Sequence, residues 1–97
     1  MESRLEATVR GRVQGVGFRY WVVRRASEIG LTGWVANELD GSVRCAAEGR
    51  PDQLDQLEEL LRRGPIGAVV ESVSAVRMPA TGRMQGFSVR SGGHRGD

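Results

Sequence analysis

The sequence predicts an α+β fold, a single antiparallel sheet with two helices packed on one of its faces. Three observations carry this prediction. Residues 5–13 alternate apolar and polar side chains, as a half-buried strand does. Two segments, 19–29 and 51–63, carry apolar residues at helical spacing. Between them, Asp40-Gly41 joins two β-forming runs and marks a hairpin.

In the first strand, Leu5, Ala7, Val9, Gly11 and Val13 take one face, and Glu6, Thr8, Arg10 and Arg12 take the other. Gly15 and Gly17 follow immediately. Both tolerate positive φ, so successive N–H groups can point to one side and form a concave nest. The first helix then runs from Arg19 to Ile29, with Phe18, Val22, Ala26 and Ile29 along its apolar stripe. Gly30 ends it, and Leu31 supplies the hydrophobic contact of the cap.

The hairpin strands are 33–39 and 42–49. In the second helix, Pro51 suits the first turn, while Asp52 and Asp55 complement the positive end of the dipole and Arg62-Arg63 the negative end. Leu54, Leu57, Leu60 and Leu61 form the stripe to be buried, and Gly64-Pro65 stops the helix. A Val/Ser run over 68–77 reads as a strand of broken alternation, 79–83 as a loop, and Phe87 and Val89 as one face of a short last strand. The order β-α-β-β-α-β plus a fifth strand is the ferredoxin-like, split βαβ arrangement. The domain is expected over 1–90, with 91–97 a disordered C-terminal tail.

Composition narrows the function. A chain of 97 residues builds one core. No apolar run approaches the roughly 20 residues of a membrane span, and no signal-like block opens the chain. All 14 basic residues are arginine, they are scattered, and the net charge is only +2. Attraction to polyanions is therefore weak and non-specific, with no footprint for a specific nucleic-acid partner. Cys45 is the only cysteine, so no internal disulfide forms, which suits a reducing cytoplasm. It lies on the apolar side of its strand and reads as a buried, inert thiol. With His94 alone in the tail, Cys–His catalysis and a conventional zinc site are excluded. Without lysine there is no Walker A loop. A dinucleotide fold fails because Tyr20 holds the third glycine position and the hairpin makes the next pairing antiparallel.

The stretch Gly11-Arg12-Val13-Gln14-Gly15-Val16-Gly17-Phe18-Arg19 is the chemically informative one. A strand runs into a two-glycine nest, and an arginine stands in the first helical turn. Nest amides, helix dipole and guanidinium all favour an anion, so the junction reads as a pocket for a phosphate or a carboxylate.

This stretch closely resembles the first signature of the acylphosphatase family. A second signature is present as Gly33-Trp34-Val35-Ala36-Asn37, with Asp40-Gly41 and Val43, followed by Glu48-Gly49. Gly64-Pro65 and Phe87 also stand where the family tends to have them, so the likeness spans 5–90. It implies metal-free hydrolysis of acyl phosphates, without cofactor, on the α/β sandwich just derived; separately, a chain of 97 residues is expected by its size to be a monomer. By resemblance, Arg19 binds the phosphate, Asn37 orients the attacking water, and the backbone of Gln14, Gly15, Val16, Gly17 and Phe18 forms the cradle.

Two alternatives share this topology. One is a non-catalytic domain that binds phosphate or carbamoyl phosphate, like the domain at the start of the larger hydrogenase-maturation carbamoyltransferases. The other is an RNA-binding module, which needs aromatic stacking positions on the open sheet face. Only Trp34 and Phe87 lie on expected strands, and Trp21, Trp34 and Phe87 read most simply as packing residues.

Overall fold

The computed structural model describes residues 1–91 of the chain. His94 and the expected tail beyond Ser91 lie outside the described residues. The elements follow in the order β1 (Ser3–Arg12), α1 (Phe18–Ile29), β2 (Thr32–Asn37), β3 (Val43–Gly49), α2 (Pro51–Arg63), β4 (Val69–Pro79) and β5 (Phe87–Val89). They form one five-stranded sheet in the order β4-β1-β3-β2-β5. Four strands pair antiparallel, but β5 runs parallel to β2, so the sheet is mixed rather than antiparallel throughout.

Alternation places the core as expected. Leu5, Ala7, Val9 and Val13 of the first strand and its end are buried. They meet Phe18, Val22 and Ala26 from α1, and Leu54, Leu57 and Leu61 from α2. Leu60 lies at the flank of the stripe and is half-buried, not buried as its spacing predicts. Gly30 ends α1 at φ 99°, its N–H donating to the carbonyls of Ala26 and Ser27, and Leu31 adds a third bond to Ala26.

Three expectations at the strand ends are corrected. β2 stops at Asn37, and Leu39, expected within it, is exposed in the turn. The hairpin is closed by a longer turn than a two-residue one: the Asp40 carboxylate accepts from both the N–H and the hydroxyl of Ser42, and Glu38 N–H donates to the Ser42 carbonyl. β4 extends to Pro79, which belongs to the strand and not to the loop after it.

The broken alternation of β4 has a local cause. Arg10 pairs with Ser72 and Gly11 with Val70, so Glu71 is an extra residue, a bulge. That bulge puts Val70 and Val73, three positions apart, on the same core. Opposite it, Gly11 stands at φ 133°, where an added Cβ would run into the Val69 carbonyl.

Topology then positions the site. β1 and β2 both pair antiparallel with β3, so they run the same way and end at the same edge of the molecule. The glycine loop after β1, the start of α1 and the turn after β2 therefore share one end of the sandwich.

Candidate active site

Val13, 1% exposed, ends the first strand inside the core. The chain then leaves the sheet through Gln14–Gly17 and re-enters the core at Phe18, 2% exposed. Between these two anchors Gly15 and Gly17 take φ of 75° and 77°, and a Cβ on either would meet open space. Their need for glycine is thus conformational, not steric. Gly17 caps α1 in the left-handed conformation without any side-chain cap. The first helical bond is Trp21 N–H to the Gly17 carbonyl, at 3.0 Å. The amides before Trp21 have no acceptor within the helix, and the first turn carries no acidic side chain to answer the dipole.

Arg19 stands in this first turn, half-buried, its guanidinium carbon 5.9 Å from the centre of the Tyr20 ring. Val16 packs partly against the core and steadies the loop from below. Asn37 is the last residue of β2, paired with Val43 and 2% exposed. Its Oδ1 is buried and makes no hydrogen bond with a protein group. Buried side-chain oxygens are nearly always satisfied, so an acceptor left open at this end of the sheet points to a ligand.

The Gln14 side chain has a place that its residue type did not foretell. Its Nε2 donates to the carbonyls of Glu38 (2.8 Å) and Ser42 (2.9 Å), the two residues that close the turn after Asn37. Asp40 completes that turn. Its carboxyl is held down at about 2, first by the Ser42 hydroxyl and amide bonds and further by Arg10, whose guanidinium lies 3.1 Å away. Ser42 and the Gln14 side chain were missed from sequence; the serine two residues after Asp40 in a hairpin turn was the available signal.

Among the described residues no group of three His, Cys, Asp or Glu side chains could hold a metal ion. No described helix is long and apolar enough to cross a membrane. On the open sheet face, Trp34 is covered by Arg90 and flanked by Arg44, with guanidinium carbons 4.5 and 5.9 Å from the ring centre. Phe87 turns to the core.

A five-stranded ferredoxin-like sandwich with a two-glycine loop, a first-turn arginine and a buried strand-end asparagine at one end of the sheet defines the class, a small α+β domain. The family model for acylphosphatase matches residues 5–89. The chain is 49% identical over 89 residues to an acylphosphatase of Salinibacter ruber, covering 92% of this chain and 94% of that protein. The crystal structure of acylphosphatase from Bacillus subtilis superposes with a TM-score of 0.87 at 35% identity, over 91% of this chain and 98% of that one. An acylphosphatase structure from Coxiella burnetii gives 0.86 at 39% identity, over 92% and 93%. The chain belongs to the acylphosphatase family.

Proposed function

We propose that Arg19, Asn37 and the 14–18 backbone carry out the hydrolysis of acyl phosphates, to a carboxylate and inorganic phosphate, that goes with membership of this family. The observation that carries the site reading is the Asn37 side chain, 2% exposed with Oδ1 unpartnered, at the end of the sheet where the glycine nest opens.

Acyl phosphates have good leaving groups, so catalysis requires holding the phosphoryl group, spreading its charge and placing a water in line with the leaving carboxylate. The Arg19 guanidinium offers a planar fork to two phosphate oxygens. Nest amides at the start of α1 donate to the same oxygens and strengthen as charge shifts toward the transition state. Asn37 Oδ1 accepts one hydrogen of the attacking water and aims its lone pair at phosphorus. An amide is too weak a base to take the proton, which passes to the substrate's own phosphate. The P–O bond to the acyl oxygen breaks as the new P–O bond forms, and the leaving carboxylate departs without needing an acid.

The reading extends to a monomer acting in the cytoplasm on a small-molecule substrate, with no specific nucleic-acid partner. Support comes from the single buried thiol and the dispersed arginines.

The test is hydrolysis of benzoyl phosphate in EDTA by the parent, Arg19→Ala and Asn37→Ala. Turnover by the parent that falls about 10²–10³-fold in each folded variant is the expected result. Turnover surviving both substitutions would place the chemistry elsewhere.

A further inference from the structure

We infer that the Gln14 side chain is a positioning residue, a bridge that sets the turn following Asn37 against the phosphate cradle. This rests on the reading of Asn37 and Arg19 above and adds a residue that acts through Asn37 rather than on the phosphate.

Both neighbours of the Gln14 amide are carbonyl oxygens, those of Glu38 and Ser42. Two acceptors at 2.8 and 2.9 Å require the NH₂ group there, with both of its hydrogens in use. Those carbonyls bracket the turn that begins one residue after Asn37. One side chain of the loop that presents the anion-binding amides thus grips the segment that holds the water-orienting residue.

The two halves of the site differ in how else they are held. The glycine loop is pinned by Val13 and Phe18, both in the core, with Val16 packed below. The turn is anchored only at its ends, by Asn37 and Ser42, both buried, while its apex is not: Leu39 is 69% exposed, and Asp40 and Gly41 are exposed. Within itself it is held by the Asp40–Ser42 bonds and by two backbone bonds, Glu38 N–H to the Ser42 carbonyl and Gly41 N–H to the Glu38 carbonyl; to the rest of the molecule it is tied by the exposed Arg10–Asp40 pair and by Gln14. An exposed ion pair contributes little positional order. Removing the Gln14 amide therefore loosens the turn and leaves the cradle in place. In-line attack depends steeply on the water's position, whereas phosphate binding depends on the cradle.

The experiment uses Gln14→Met, nearly the same shape without the donors, and Gln14→Glu, which sets a carboxylate against two carbonyls. With benzoyl phosphate, kcat is expected to fall about 10–100-fold while KM and inhibition by inorganic phosphate stay within about threefold. On an Asn37→Ala background, Gln14→Met is expected to lower kcat by less than about twofold more, because the two residues act as one unit. A kcat unchanged in both variants overturns the inference, as does a loss shared with phosphate affinity or fully additive with Asn37→Ala. If neither variant folds, Gln14 is a folding element and the inference is equally overturned. Failure of the underlying site reading is distinct: Arg19→Ala and Asn37→Ala would then keep the parent's activity.

Discussion

The Arg4 guanidinium donates to the Glu48 carboxylate at 3.0 Å on the sheet face opposite the helices. The same carboxylate accepts from Thr81 N–H, Thr81 Oγ and Gly82 N–H, each at 2.9 Å. These bonds matter because β4 and β5 occupy opposite edges of the sheet, so the chain between them must cross β1, β3 and β2. Glu48, on β3, staples that crossing near its middle, and the crossing delivers β5 to β2. Gly33 N–H donates to the Gly86 carbonyl, and Arg90 N–H to that of Val35, on the strand that ends in Asn37.

From this staple follows a stability that depends on pH. Burial alone pushes the Glu48 carboxyl up, but the Thr81, Gly82 and Arg4 hydrogen bonds outweigh it and hold the group at about 2, against an ordinary 4.5. A folded-state value below the unfolded one means that the stabilisation is complete above the ordinary value. It fades as pH falls from there toward about 2. Glu48→Gln is expected to cost about 2–3 kcal/mol at pH 7, in urea unfolding, with the gap to the parent narrowing toward pH 2. Equal midpoints at neutral pH would show that the staple carries no stability.

Asn37→Ala is expected to separate stability from activity. Its Oδ1 is buried without a protein partner, so deleting it removes a desolvated acceptor rather than a hydrogen bond. Thermal unfolding should change by less than about 1 kcal/mol, or rise slightly, while turnover falls about 10²–10³-fold. A marked loss of stability would make Asn37 a structural residue whose partner is protein.

Arg19→Lys keeps the charge and loses the fork. A lysine cannot address two phosphate oxygens in one plane, and its compact ammonium is held less firmly at the mouth of the nest. We expect kcat/KM to fall about 10²-fold, with phosphate inhibition weakened in parallel. Retention of parental kcat/KM would reduce the role of Arg19 to bulk charge.

Much of this was legible in the chain, for reasons that also mark where legibility ended. β1, α1 and α2 each bury one face along their whole length, so their periodicities are clean and their ends fall within two residues of expectation. β4 was found but not its register, because the extra residue Glu71 shifts the alternation midway. The direction of β5 was not legible at all. Its three residues pair with β2 across more than fifty positions, and no local pattern encodes parallel pairing. At the site, Gly15, Gly17 and Arg19 declare themselves through local backbone needs and charge. The grip of Gln14 depends on two loops meeting from 24 and 28 positions apart, and only the sheet order brings them together.

Gly11 and Gly17 should respond unequally to alanine. Gly17 at φ 77° faces open space, so Gly17→Ala should cost only the left-handed penalty, about 1–2 kcal/mol. Gly11 at φ 133° faces the Val69 carbonyl and the Glu71 nitrogen across the bulge, and Gly11→Ala must push two paired strands apart. About 3 kcal/mol or more is expected there, read from denaturant midpoints. Equal costs would mean that the β1–β4 edge yields without resistance.

Cys45 turns the core into a reporter of opening. It is 1% exposed on β3, between Ala7 of β1 and Val35 of β2, and burial pushes its thiol up to about 12 from 9.0. A value three units higher leaves about 10³-fold less thiolate at pH 8, before any steric exclusion by the neighbouring strands. Labelling by an aromatic disulfide reagent should therefore proceed only through molecules that have opened the β1–β3–β2 sheet. Its rate should rise with denaturant along the unfolding curve, and at fixed denaturant it should be faster in Glu48→Gln than in the parent. Rapid labelling of the native parent in buffer, independent of denaturant, would mean that β3 is exposed from the native state. It would also contradict the placement of Cys45 in the core.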